Sequence, residues 1–465
     1  HQRRTHNRSN PRLIGQFADK SGEMVDWLIA NGPAEVADSL FLRKAPMWQT
    51  YFDEGAEVNT FKCWLGTIQY NFNAAAPALI KQAEERGAQW FWETRGVVLL
   101  TEEAEVPMLV DGFDENGVFG QSEQPVPQVT VTGVIGQNAD GEYVKFLAKK
   151  GVVLAAGDFG GNAEMFEALM DERRNISEMH GLPTDNLING MFGRDGSGIK
   201  MGMWAGGSMD PLMRTLISPE VVYTSDKYSV NILIRQGTYR FALWLDPDLE
   251  RFCDESFMGC YSLIDQMERN KPGRYYAFFD NKQETLMSRS APEHFCASRS
   301  DDALTQTLAH WLERGELGEE TEGQSGETTW STGTPCHFAA NTLEELFSYM
   351  GLDEEEAAKA KAQIDRYNEL AAAGKDEDFG RDPRILLPID EPPFYGIIQV
   401  QEKPALGTVT LNGLVIDHKQ RVLDKGYNPI LGLYASGNNG GGRWGNHYST
   451  PIQGVSLGMA LTLGR

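Results

Sequence analysis

The residues best placed for chemistry lie near the end of the chain, in the run Gly432-Leu433-Tyr434-Ala435-Ser436-Gly437-Asn438 and the residues after it. A short apolar run reads as a strand, Ser436 to Gly442 as a turn, and Gly454 onward as a helix. A strand that breaks into glycines and restarts as a helix leaves backbone N–H groups open at the helix start, here those of Val455 and Ser456. Such an end attracts an anion, or a group that becomes anionic during a reaction. Ser456 equally suits a plain helix N-cap. The loop before the helix carries Tyr448, whose hydroxyl is a neutral donor able to polarise a ketone or shuttle a proton. His447 stands beside it as a weaker candidate for moving a proton. Residue types alone are as well explained by a glycine-rich connection and a core tyrosine.

A second strand-end of the same kind lies far upstream. Lys150 to Leu154 is an apolar strand that ends in Ala155-Ala156-Gly157-Asp158, with a helical stretch beyond it at Ala163 to Asp171. Small residues at the end of a strand let a ligand approach the backbone closely. A tight strand–helix turn would use them too.

The elements that must carry these ends read as an α/β chain. Residues 1 to 92 read as helical, with Ser21 to Ala30 ending at Asn31-Gly32, and Ala74 to Arg86 ending at Gly87. Gly96 to Thr101 reads as a strand, and Val129 to Gly136 with Tyr143 to Leu147 as a hairpin around Asn138 to Gly141. From about Leu216 the βαβ rhythm is lost, and Gly315 to Gly333 reads as an exposed polar loop. Two helices come next, Leu343 to Met350 and Asp353 to Ala372. The second opens on a capping box of Asp353 and Glu356 and stops at Gly374, which gives Glu354, Glu355 and Glu356 a structural reason rather than a metal.

At 465 residues the chain is long enough for about three domains and a large core. Its formal charge of −24 argues against nucleic acid and anionic membrane surfaces as partners. No apolar run approaches the roughly 20 residues that span a bilayer. Cys63, Cys253, Cys260, Cys296 and Cys336 form no CxxC pair, so neither a zinc site nor a disulfide framework is expected. His1-Gln2-Arg3-Arg4 is basic without a subsequent apolar signal region and without an initiator Met, so the numbered chain is expected to start in mid-protein. The compartment is left open for the same reason.

Several ordered motifs resemble the fumarate reductase/succinate dehydrogenase flavoprotein superfamily. They are Gly151-Val152-Val153-Leu154-Ala155-Ala156-Gly157-Asp158-Phe159-Gly160-Gly161-Asn162, the 193–207 stretch GRDGSGIKMGMWAGG, the 245–256 stretch LDPDLERFCDES, the 376–395 stretch DEDFGRDPRILLPIDEPPFY, and the C-terminal GLYASGN. The resemblance implies an FAD-binding α/β domain, Rossmann-like, whose N-terminal GxGxxG segment is absent from this chain, with an inserted α+β cap domain. It implies FAD-binding parts at residues 1–215 and 396–465 around a cap at 216–395. It also implies cofactor contacts from Val97 near the adenine, from Ala156, Gly157 and Asp158 along the strand end, from Gly437 and Asn438 at the ribityl chain, and from Gly454, Val455, Ser456 and Leu457 at the pyrimidine ring.

The same resemblance implies a substrate unlike fumarate. Val409 replaces the family's histidine before Thr410-Leu411-Asn412-Gly413-Leu414, Tyr448 stands where the clamp arginine belongs, and Asn281 to Glu284 supply no arginine donor. Glu255 matches the proton-relay carboxylate, but no arginine partner for it is evident in the sequence; Arg251 reads as a pin for the cap rather than a substrate ligand. Arg443 and Trp444 either line the pocket or pack the loop. The Tyr448 loop is similar to that of ketosteroid dehydrogenases, which implies that Tyr448 and the Gly454 N–H meet a substrate carbonyl, with His447 as a further candidate. The expected activity is FAD-dependent reduction of an activated C=C bond next to a carbonyl. The alternatives are desaturation of a ketone and a flavin-binding protein without turnover. The partner is then a small unsaturated carbonyl compound, and no motif names the electron donor.

Overall fold

The computed structural model describes residues 8–38, 41–48, 62–69, 71–170, 194–211, 242–255, 273–282, 337–401, 409–445 and 455–465, with a few short pieces between them. The described residues build two separate apolar cores, each around its own sheet.

The first sheet is mixed. Strand Pro429–Ala435 is its hub, bonded antiparallel to Arg421–Leu423 and parallel to both Phe119–Gln137 and Val152–Leu154. Val152-Val153-Leu154 and Ile430 to Ala435 are the near-continuous apolar runs usual for parallel strands, though Val153 and Leu431 are exposed. The core beneath them includes Leu99, Val131, Leu154, Phe159, Ile199, Leu414, Leu433 and Val455. Helix Pro11–Asn31 starts with proline in its first turn under an Asn10 cap, and it lays Leu13 and Leu28 inward. Its entry is tied to the C-terminal turn by the Asn10 amide, which donates to the Gly442 carbonyl at 2.6 Å.

The second sheet is antiparallel, in the order Leu243–Leu245, Gly273–Phe279, Phe394–Gln401, His337–Ala340. Helices Leu343–Tyr349 and Glu354–Ala373 cover it. The longer helix buries Ala360, Ile364, Tyr367 and Leu370, a helical stripe. Its capping box and the left-handed Gly374 stop are those expected from the sequence.

Two readings of the sequence need correction. Residues 1–92 are not all helical, because Phe41–Trp48 pairs antiparallel with Lys62–Gln69. Pro46 and Gly66 sit inside these runs and oppose a helix. The Gly96 strand is also far longer than expected. Arg95–Phe113 and Phe119–Gln137 form one hairpin of 19 residues a side, paired out to Phe113 and Phe119. Asp114 closes the turn by accepting from the Asn116 and Val118 amides. Pro107, Pro125 and Pro127 hid these strands in the sequence, since proline demotes a strand reading. Among the described residues no helix is long and apolar enough to cross a membrane, and no group of three or more His, Cys, Asp or Glu is placed to hold a metal.

Candidate functional site

Two parallel strands end side by side. Leu433, Tyr434 and Ala435 pair with Val152, Val153 and Leu154, and the Ser436 amide extends the ladder to the Leu154 carbonyl at 2.9 Å. Beyond this point both chains turn away, so a crevice opens at their carboxyl ends, where ligands bind in open α/β sheets. On one side lie Ala155 and Ala156, both exposed, and Gly157 at φ +84°, with only the aliphatic part of Arg194 near where its Cβ would be. Gly437 to Asn439 forms a single 3-10 turn on the other side.

Asn439, which sequence reasoning did not single out, joins the two. Its side-chain oxygen accepts from the Ala156 amide at 2.5 Å, and its carbonyl accepts from the Leu414 amide at 2.7 Å. No motif marks it, because the family resemblance draws attention to Asn438. Asn438 instead accepts from Arg443 Nη2 at 2.7 Å. Arg443 and Trp444 are both about 1% exposed and stack on each other, so they pack the loop and do not line an open pocket.

The 410–414 stretch crosses beneath this turn. The Gly441 amide donates to the Leu414 carbonyl, the Asp210 amide donates to the Gly413 carbonyl, and the Asp210 carboxylate accepts from the Gly442 amide, each at 2.8 Å. Gly413 is fixed by the approach. A Cβ there would stand 2.4 Å from the Asn439 carbonyl oxygen and 2.9 Å from that of Asn438, both backbone atoms that cannot rotate aside. Gly413→Ala is therefore expected to destabilise the fold by about 1–3 kcal/mol, measured by urea unfolding. Unchanged stability would mean that the two segments are not in the close contact described.

Asp158 does not face the crevice. Its side chain is wholly buried and accepts from the Gly160 amide at 3.0 Å and the Thr410 amide at 2.9 Å, with Arg194 Nη1 at 3.4 Å. Burial raises the carboxyl above its ordinary value, against the pull of Gly160, Arg194 and Thr410. Of the C-terminal helix Val455–Gly464, Val455 is buried, Ser456 is half-buried and Leu457 is exposed. Val97 stands apart. It is half-buried at the root of the long hairpin, on a strand joined to Val152–Leu154 only through two others. His447, Tyr448 and Gly454 lie outside the described residues.

Glu255 belongs to the second core, and the structure does not bring it to the strand ends. Its carboxylate accepts from Arg251 Nε at 3.0 Å and Nη2 at 2.8 Å, from Arg381 Nη1 at 3.0 Å and from the Trp244 amide. Arg251 also donates to Asp376 at 2.8 Å and lies over the rings of Tyr367 and Phe379. The arginine partner that the sequence did not reveal is thus double, and Arg381 comes from the Pro-rich return segment 126 residues away.

Burial pushes the Asp376 carboxyl up, but the hydrogen bonds from Arg251 and the Arg381 amide outweigh it and leave the group below its ordinary value. A depressed carboxyl stabilises the fold above its unfolded pKa of about 3.9, and that contribution is lost as pH falls through the folded value. The wild-type melting temperature is expected to drop more steeply below about pH 4 than that of Asp376→Asn. Parallel acid limbs in a calorimetric pH series would remove this role.

FAD fits the first site on two counts. The exposed Ala155 and Ala156 and the open Gly157 leave backbone bare for a flat group. Asn439 Nδ2, on the side chain that bridges to the Ala156 amide, is buried and finds no hydrogen-bond partner among the described residues, and buried polar groups in native proteins rarely stay so. The C-terminal helix packs on the adjoining turn through its second half, with the Ser436 hydroxyl donating to the Ala460 carbonyl.

Comparison with known proteins agrees with this geometry. The vinyl phenol reductase of Lactiplantibacillus plantarum is 27% identical over 340 residues, which cover 72% of this chain and 63% of the relative. The NADH:acrylate oxidoreductase of Vibrio harveyi is 26% identical over 72% of this chain, but only 28% of its own length is covered. The chain thus spans less than two thirds of either relative. The 3-ketosteroid delta1-dehydrogenase from Sterolibacterium denitrificans shares the fold at a TM-score of 0.56 and 18% identity, over 100% of this chain and 86% of that one. The model of the FAD binding domain family matches residues 2–457, and the chain, a mixed α/β flavoprotein fold with FAD as its cofactor, belongs to that family.

Proposed function

We propose that the protein is an FAD-dependent oxidoreductase that reduces an activated C=C bond next to a carbonyl, with an uncharged compound rather than fumarate as substrate. The observation that carries this reading is the turn anchored at the strand ends by Asn439 and Arg443. In sequence, that turn is followed at once by the segment that bears Tyr448. A neutral hydroxyl in that loop, with Val409 in place of a histidine, suits an enone better than a diacid. The reductases among the relatives act on vinyl phenols and acrylate by name, which supports the same bond class.

Bound FAD supplies the hydride chemistry. The chain's own residues position and polarise. Ala155, Ala156 and Gly157 offer the bed, and Asn439 fixes its edge. The amides of Val455 and Ser456 oppose negative charge at the helix start. Tyr448 and the Gly454 N–H hold the substrate carbonyl, and Tyr448 moves the proton, with His447 able to relay it. The division into FAD-binding parts at 1–215 and 396–465 around a cap at 216–395 is supported by the two separate cores. A ketone desaturase is the second reading, favoured by the fold neighbour and by the tyrosine.

The test is a visible spectrum of the full-length protein under anaerobic conditions. Chemically reduced protein is mixed with a panel of enones and unsaturated acids. Reoxidation by an enone supports the reductase. Bleaching of the oxidised form by a saturated ketone, with no response to the panel, replaces it with the desaturase. Flavin that answers to neither leaves a binding protein without turnover.

A further inference from the structure

Hydrogen bonds in a parallel ladder are evenly spaced, so the place of the next one is fixed by the last. At the crevice the last is the Ser436 amide donating to the Leu154 carbonyl. The following one would run from the Ala156 amide to the Ser436 carbonyl. Asn439 takes both ends of that missing bond. Its side-chain oxygen accepts from the Ala156 amide at 2.5 Å, and its own amide donates to the Ser436 carbonyl at 3.3 Å. Both backbone groups are thus satisfied without a further rung, and the two strands can part.

They part where Ala155 and Ala156 become exposed. Asn439 itself is wholly buried, and its carbonyl, bonded to the Leu414 amide at 2.7 Å, pins it to the crossing segment. Helix Ser197–Trp204 closes in from another side. A Cβ on Gly198 would stand 2.7 Å from Asn439 Nδ2, 2.9 Å from its Oδ1 and 3.1 Å from the Ala156 Cβ. Glycine at 198 therefore leaves the room in which the side-chain amide meets Ala156. We propose that Asn439 is a positioning residue of the FAD site: it ends the ladder one rung early, and so sets where the crevice opens and how the Ala156 backbone is presented to the cofactor. It acts through Ala156 and does not touch FAD. This rests on the FAD site described above.

The test uses full-length protein stripped of FAD and titrated with FAD, monitored by quenching of flavin fluorescence. Asn439→Ala leaves the Ala156 amide free to complete the rung to Ser436, and is expected to weaken FAD binding about tenfold, the worth of one well-made hydrogen bond. At saturating FAD, the visible circular dichroism of its flavin is expected to differ from that of wild type, because the cofactor rests on a shifted bed. Gly198→Ala pushes the side-chain amide off Ala156 and is expected to weaken binding similarly. In the Asn439→Ala background the same Cβ meets vacated space, so the double variant is expected to bind no more weakly than Asn439→Ala alone. A residue that only stabilises the fold would lower the melting temperature of the apoprotein and leave affinity and dichroism as in wild type. That result, or multiplicative losses in the double variant, would overturn the proposal alone. Should Asn439→Ala not fold, Gly198→Ala decides by the same two readouts. Wild-type protein that ignores FAD would overturn the cofactor assignment and this inference together.

Discussion

Replacing Glu255 by alanine is expected to lower the unfolding free energy by about 3–5 kcal/mol, the usual result of leaving a buried ion without its partner. Arg381 is about 1% exposed and the Arg251 side chain 5%, so neither guanidinium can turn to water when the carboxylate goes. Asp376 still faces Arg251, but Arg381 touches Asp376 only through its backbone amide. Burial pulls Arg251 down, and the Glu255 and Asp376 carboxylates more than compensate, holding it above its ordinary value. The cluster ties three segments together: the Leu243–Leu245 strand through the Ala242 carbonyl, the turn at 251–255, and the return segment at 376–381. Urea unfolding of Glu255→Ala and Glu255→Gln measures the effect. The competing role, a proton relay, predicts the opposite pattern: Glu255→Gln would keep its stability and lose turnover. A normal unfolding midpoint with a collapsed rate would return Glu255 to the reaction.

Tyr448→Phe is expected to slow enone-driven reoxidation of the reduced flavin by about 10²–10⁴-fold, the range for removing a positioned proton donor. FAD affinity and melting temperature should not move, because the ring is kept and only the oxygen is lost. Stopped-flow absorbance of the flavin band separates the two quantities. A rate within a factor of about three of wild type would show that the carbonyl is polarised elsewhere, with His447 the next residue to replace.

The sequence shows the strand ends well and their interlocking poorly. Ala155-Ala156-Gly157 and Ser436-Gly437 were readable as strand ends because small residues after an apolar run mark where the chain turns and the backbone stays open. Asn439, Thr410 and Asp210 were not, since what matters is which distant backbone amide each one meets, and no local pattern encodes that. Asp158 was legible as a position but not as a role: Ala155 and Ala156 before it are exposed, while its own carboxylate turns inward to the Gly160 and Thr410 amides. The capping box of Glu354–Ala373 was foreseen because its two hydrogen bonds join residues three apart. The arginines around Glu255 span from 4 to 126 residues and left no such trace.

The long hairpin has a consequence for how the molecule behaves in a crowded solution. Beyond about Glu102 most of the ribbon is exposed on both faces, with Leu109, Phe113, Val118 and Phe119 at 62–74%. A bare two-stranded ribbon with apolar side chains is a template onto which other chains can add. Here the template is spoiled. Counting back from the bond between the Asp114 amide and the Val118 carbonyl, Pro107, Pro125 and Pro127 fall at positions whose amides would point outward. An incoming strand finds those donors missing. It also meets Glu102, Glu103, Glu105, Asp111, Asp114, Glu115 and Glu123, with no lysine or arginine from Gly96 to Val144 to offset them. Like charge keeps a second ribbon of the same kind at a distance. The projection can therefore stay bare without seeding aggregation.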